Sequence, residues 1–222
     1  MIKRFRRYAI YWTPDPGSFL DAFGERWFGG ETFGLPAELA ARAIEAPAHY
    51  GLHATLKAPF RLAENRTETE LRAALDRFCA VRREPCCGPL SLACFQRYLV
   101  LVVTGTSAEI DWLAAQCVTA FDSFRAPLGE EDRERRQRQS LSAGQAAFLE
   151  AFGYPYVLSE FRFHISLAGP LEADELMIVE GALSPPLDPA LREGFRLQGL
   201  TLSGEPFDGS PFQIVSRHRF RR

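Results

Sequence analysis

Several features that would fix the class of a protein are missing from this chain. No stretch approaches the roughly 18 consecutive apolar residues that a membrane-spanning helix needs, so no membrane partner is expected. The start, Met1-Ile-Lys-Arg-Phe-Arg-Arg-Tyr8, has basic residues but no uninterrupted apolar core or small-residue cleavage site, so no signal peptide is expected. The five cysteines (Cys79, Cys86, Cys87, Cys94 and Cys117) are odd in number and form no CxxC pair. No histidine stands at metal-ligand spacing from them. A disulfide framework and a zinc site are therefore not expected, and a reducing cytoplasm is the economical compartment. No Ser/Gly-rich linker divides the chain. A strong charge of one sign is also lacking, since the net charge of −2 argues against a general nucleic-acid coat.

What remains is ordinary globular composition: 222 residues, 46% hydrophobic, 12% aromatic and 24% charged. Disorder and collagen-like repetition are excluded, and the length permits one large domain or two small ones. The small net charge is an average. Lys3, Arg4, Arg6, Arg7, Arg217, Arg219, Arg221 and Arg222 supply eight of the 26 basic residues, so the remaining body is acidic. Basic ends are ordinarily solvated tails. If both ends were strands lying side by side, they could form a local anion-attracting patch.

The informative feature is an internal echo. Tyr50-Gly-Leu-His-Ala-Thr-Leu-Lys-Ala-Pro-Phe60 matches Phe161-Arg-Phe-His-Ile-Ser-Leu-Ala-Gly-Pro-Leu171. Each copy has His, then a hydroxyl residue at +2, Leu at +3 and Pro at +6. The two histidines, His53 and His164, lie half a chain apart. Read as strands, the copies alternate. Leu52, Ala54 and Leu56 form one face of the first, and His53, Thr55 and Lys57 the other. Phe163, Ile165 and Leu167 oppose Arg162, His164 and Ser166 in the second. Pro59 and Pro170 would close the strands, because proline cannot donate to a continuing ladder.

Helical spacing follows each motif, over 67–81 and 173–183, and further helices are expected over 36–44, 108–124 and 141–152. The balanced charges of 129–139 suit a solvated helix face. Strands are expected over 7–13, 98–104, 195–203 and 212–220. The shared motif gives one α+β domain over 1–222, with two pseudo-symmetric lobes (approximately 1–125 and 126–222, strands possibly exchanged).

If both motif strands face one cleft, His53 and His164 suit general acid–base chemistry near neutral pH, one taking a proton while the other gives one. Thr55 and Ser166 can donate to non-bridging phosphoryl oxygens. Lys57 and Arg162 continue the polar rows and could offset phosphate charge. The copies differ there: Lys57 corresponds to Ala168, and Arg162 to Gly51, so a symmetric fold carries an asymmetric cleft. Taken singly, either motif could equally be a satisfied structural histidine with a hydroxyl bonded to backbone. His49 reads as a loop residue and His218 as an exposed strand end, both outside the site.

At these residues the chain resembles the 2H phosphoesterase superfamily, whose hallmark is two HxT/S strands in duplicated lobes. Arg7-Tyr-Ala-Ile-Tyr11, His53-Ala-Thr-Leu-Lys-Ala-Pro-Phe60 and Gly153-Tyr-Pro-Tyr-Val157 with Phe161-Arg-Phe-His164 are similar to an uncharacterised subgroup often associated with phosphonate-utilisation operons. The resemblance implies a bilobal, pseudo-twofold α+β fold of the 2′-5′ RNA ligase type, with antiparallel sheets around a central cleft. It also implies metal-independent chemistry on phosphodiesters, commonly cyclic phosphates on ribose, with no cofactor. His53 and His164 would be the acid–base pair, and Thr55 and Ser166 the phosphate-binding hydroxyls. Tyr11, Tyr154 and Tyr156 are suited either to stacking on a base or ribose or to core packing, and the resemblance inclines Tyr156 to function.

Three functions compete on this reading. The first is a phosphodiesterase for a small ribose-type or nucleotide cyclic phosphate. The second is RNA end processing or 2′–5′ ligation, which the acidic body disfavours and the basic ends keep open. The third is a nucleotide-binding module without turnover, against which the matched histidines argue.

Overall fold

A computed structural model describes residues 4–129, 133 and 140–221. The expected charged helix over 129–139 lies outside these residues except at Gly129 and Arg133. So do Lys3 and Arg222 of the basic ends. In chain order the described elements are β1 (Arg7–Trp12), α1 (Phe19–Phe28), α2 (Ala37–Ile44), β2 (Ala54–Phe60), α3 (Glu68–Ala80), β3 (Leu90–Phe95) and β4 (Tyr98–Val103). They continue with α4 (Ala108–Ala120), α5 (Ala143–Phe152), β5 (Ile165–Ala168), α6 (Ala173–Arg192), β6 (Gly199–Glu205) and β7 (Gln213–Arg219).

The helix starts follow from their capping residues. Thr67 and Glu70 bond reciprocally at the head of α3, and Ser142 and Gln145 do the same for α5, each pair satisfying two backbone donors. α5 stops at Gly153, whose positive φ of 74° a side chain rarely adopts. α6 overruns its expected end at residue 183 and continues through Pro185, Pro186 and Pro189. Proline costs a helix a hydrogen bond, but here Leu176, Val179, Leu183 and Leu187 keep one stripe buried past the first two prolines. Two elements lacked a readable signal. α1 buries only Phe23, Gly24 and Trp27, and β3 mixes Ser, Ala and Cys, which favour strands weakly.

All seven strands form one antiparallel sheet in the order β3-β4-β5-β2-β1-β6-β7. The halves of the sequence are interleaved in it. β4 of the first half, with β3 beyond it, pairs with β5 of the second, while β6 and β7 of the second half extend from β1. Helices α3 and α4 pack on the β2–β1–β6–β7 side, and α2 and α6 on the β5–β4–β3 side. One contiguous core runs beneath both parts, with Ile10, Leu71, Leu101, Ile165 and Leu202 fully buried. The two parts meet where β2 and β5, the motif strands, pair at Ala54 and Ile165.

Candidate active site

That single pairing organises the site. Ala54 and Ile165 are buried and point into the core, so the residues on either side of each point to the opposite face. Continuing the antiparallel register by one residue sets His53 beside Ser166 and Thr55 beside His164. The histidine of each copy thus neighbours the hydroxyl of the other across the Ala54–Ile165 pairing. All four side chains are half-buried.

The two rings are held in the same way. His53 Nδ1 lies 2.9 Å from the Gly51 carbonyl oxygen, and His164 Nδ1 lies 2.8 Å from the Arg162 carbonyl oxygen. A carbonyl only accepts, so each Nδ1 carries the proton and donates. In the neutral ring this leaves Nε2 as the unprotonated nitrogen. Because the partner is the backbone two residues earlier, the motif fixes its own tautomer. The electrostatics are less symmetric. Burial pushes His53 down to about 4; the Gly51 carbonyl raises it and the neighbouring His164 lowers it further. His53 is therefore neutral at ordinary pH, with Nε2 able to accept a proton.

Aromatic rings flank both histidines. Tyr11, paired with Thr55 across the β1–β2 ladder, is 1% exposed and sits with its ring centroid 4.3 Å from that of His53. Burial raises its hydroxyl well above the ordinary phenol range. Tyr11 thus backs the histidine and carries no open platform for a base. Tyr50 approaches His53 at 5.4 Å and stacks on Phe212 at 5.2 Å, while Phe95 approaches His164 at 5.8 Å. Phe212 and Phe95 come from loop and edge-strand positions to which no local pattern points. Tyr156 is 37% exposed and packs edge-on against Tyr154 at 5.6 Å.

Lys57 is not in the row with His53 and Thr55. Between the Tyr11–Thr55 and Ile10–Lys57 pairs, β2 advances two residues while β1 advances one. This β-bulge puts Lys57 on the opposite face from Thr55. There it is 4% exposed, and its Nζ donates to the Val118 carbonyl at 3.0 Å and to Asp122 Oδ1 at 3.2 Å. Burial lowers its affinity for a proton, against the pull of Asp122. Lys57 ties β2 to the end of α4 and does not face the cleft. Arg162 is exposed, with Nη1 turned back to the carbonyls of Ser159 (3.0 Å) and Phe161 (2.6 Å). It shapes the loop whose own carbonyl holds His164.

The other two histidines stand outside the motif. His49 ends a short 3-10 turn (Pro47–His49), with Nε2 3.4 Å from Glu205. His218 is not the exposed strand end expected from its arginine neighbours. It is 4% exposed, with Nδ1 2.6 Å from Asp76 and Nε2 2.8 Å from the Ser216 hydroxyl. Its side chain turns to the helical face of β7, where α3 packs. Among the described residues no group of three or more His, Cys, Asp or Glu is arranged to hold a metal ion.

A family model described as "Protein of unknown function (DUF1045)" matches residues 55–213. The chain belongs to this family. Among curated proteins, this DUF1045 chain is 34% identical, over 93% of its length, to "Ribose 1,5-bisphosphate phosphokinase PhnN" of Janthinobacterium sp. (strain Marseille). It is 31% identical, over 94% of its length, to the protein of the same name from Laribacter hongkongensis (strain HLHK9). The chain spans about half the length of these curated relatives, 49% and 50% respectively. Among solved structures, E. coli LigT complexed with NADP+ superposes with a TM-score of 0.53 at 14% identity, covering 99% of this chain and 100% of that one. The likeness to LigT is one of fold, the α+β architecture anticipated from the paired motifs.

Among the described residues, the basic side chains of the two ends of the DUF1045 chain do not form one patch. β1 and β7 both run antiparallel to β6, so they are parallel to each other, and the start of one lies at the opposite end of the sheet from the end of the other. Arg7 pairs with Glu205 through two hydrogen bonds of 2.5 and 2.6 Å. Arg217 and Arg219 lie at the other end, the one nearer His53. No helix among the described residues is long and apolar enough to cross a membrane.

Proposed function

We propose that this DUF1045 chain is a phosphodiesterase that opens a small cyclic phosphodiester on a ribose or nucleotide. The observation that carries the reading is the matched pair of Nδ1–H···O=C anchors on neighbouring strands, which leaves two imidazole Nε2 atoms to act on one substrate. His53, kept neutral by burial, is the base; His164 is the acid. Nε2 of His53 takes a proton from water as its oxygen bonds to phosphorus. Nε2–H of His164 gives a proton to the ribose oxygen as its bond to phosphorus breaks. The Thr55 and Ser166 hydroxyls donate to the non-bridging oxygens, whose charge grows in the transition state. Atoms and charge balance without a metal ion or an oxidant.

A ribose phosphate is the favoured substrate class because the curated relatives are named for a ribose bisphosphate. Their kinase name belongs to chains twice as long. Here neither lysine, Lys3 nor Lys57, follows a glycine in the GxxxxGK[ST] pattern of a phosphate-binding loop. RNA processing is less favoured, because the basic ends are split between opposite ends of the sheet.

The test is the pH dependence of kcat/KM, measured with a chelator present on a panel of cyclic phosphates including oligonucleotide ends. Activity should hold as pH falls and be lost only as His53 is protonated, around pH 4. An acidic limb in the ordinary imidazole range near 6.5 would contradict the assignment of His53 as base. Strict dependence on an added divalent ion would contradict the mechanism.

A further inference from the structure

The sheet carries a second cationic group on the same face as the histidines. Thr55 pairs with Tyr11, Tyr11 with Thr201 and Thr201 with Arg217, one row across four strands. Cross-strand partners share a face, so Arg217 projects from the side that bears Thr55 and His53. At the backbone it lies three strand spacings away, roughly 14 Å. Its side chain reaches back across β6, however. Nη1 donates to Thr13 Oγ1 at 2.6 Å and to the Pro14 carbonyl at 2.8 Å. Continuing the Trp12–Ala54 pairing by one residue sets Thr13 beside His53. The guanidinium is therefore anchored to the residue that neighbours the proposed base.

This guanidinium is half-buried and pairs with no carboxylate among the described residues. Asp15 is taken by Arg219 at 2.7 Å, and Thr13 is braced by the Thr201 hydroxyl at 2.8 Å. Nε and Nη2 of Arg217 have no hydrogen-bond partner among the described residues. Burial lowers its pKa from the ordinary value, against attraction from Asp15 and Asp21. Nε and Nη2 are not buried, so they stay open to solvent or to a bound anion. Arg217, Thr13, Thr201, Gln198 and Arg219 border a cavity of about 150 Å³, which the carboxylates of Asp15 and Glu193 also line and which the motif residues do not.

We propose that Arg217 and this cavity hold a second, terminal phosphate of the substrate, beside the strand end where Thr13 neighbours His53. The site deepens the phosphodiesterase reading and rests on it for the kinetic test below. It would select sugar phosphates that carry both a cyclic diester and a monoester over those that carry the diester alone. Planar guanidinium suits such a phosphate, since it can present two parallel N–H donors.

Two measurements separate this site from the reading beneath it. The first needs no turnover: ribose 5-phosphate is titrated into the H53A/H164A double variant, with and without Arg217→Ala, by calorimetry. Binding that weakens at least 10-fold with R217A, and recovers in part with Arg217→Lys, is expected. Absence of binding, or equal affinity with and without Arg217, would overturn the site. The second compares adenosine 2′,3′-cyclic phosphate with its 5′-phosphorylated form. The 5′-phosphate should raise kcat/KM at least 10-fold in the unmodified chain, mainly through KM, and R217A should remove most of that preference. Equal preference in both would also overturn the site. Ribose 5-phosphate binding through Arg217 in a chain that turns over neither diester would defeat the phosphodiesterase reading and leave the anion site standing. Thermal melts of each variant separate misfolding from lost binding, and R217K supplies the folded control should R217A not melt cooperatively.

Discussion

His53 and His164 owe their ring orientation to a very local device. Each ring donates through Nδ1 to the carbonyl two residues before it, so the extended strand entry itself selects the tautomer. This is why the motif residues were legible in the sequence as a pair: histidine, hydroxyl and apolar positions all follow from strand alternation. Lys57 was misplaced by the same rule, because one extra residue at a bulge between Thr55 and Lys57 moves Lys57 to the other face of β2. No composition signal marks that bulge. Tyr11 was legible as a strand residue, but its role as the ring behind His53 depends on a partner from another strand. Lys57→Met tests the corrected assignment. It leaves the Val118 carbonyl without its donor and removes one partner of Asp122, which keeps Arg125. Denaturant unfolding should show a loss of about 1–2 kcal/mol, with KM little changed. A large rise in KM without loss of stability would return Lys57 to the cleft.

At the scale of elements, the strands β6 and β7 carry most of what the sequence concealed. Their existence is readable from alternating apolar residues, but their partner is β1, at the far end of the chain. Which strands pair is set by long-range burial, for which no local pattern substitutes. The same holds for Arg217, whose neighbours in sequence suggest a solvated tail while the ladder gives it a place in the row with Thr55. Gly199 is the position where this ladder is least forgiving. A Cβ there would lie 2.2 Å from the His218 carbonyl oxygen and 3.0 Å from the Arg219 Cα. Backbone cannot yield as a side-chain tip can, so Gly199→Ala must spread β6 from β7. We expect a loss of about 3 kcal/mol in chemical denaturation, together with weaker binding of ribose 5-phosphate, since Arg217 moves with β7. Full stability in G199A would contradict the close approach of these strands.

Over the whole molecule, the duplication is visible in the motifs but not in how the chain distributes its strands. β3 and β4 complete the part that carries β5, and β6 and β7 complete the part that carries β2. The two histidines therefore come from different halves of the sequence and meet only in the finished sheet, at Ala54 and Ile165. Acid and base acting on one bond should behave as a unit, so their losses should not add. The decisive measurement is the turnover of a 5′-phosphorylated nucleoside 2′,3′-cyclic phosphate at neutral pH by the unmodified chain, His53→Ala, His164→Ala and the double variant. Each single variant should lose about 10²- to 10⁴-fold in kcat, and the double variant little more than the worse single one. Activity within a few-fold of the unmodified chain in either single variant would contradict the two-histidine mechanism.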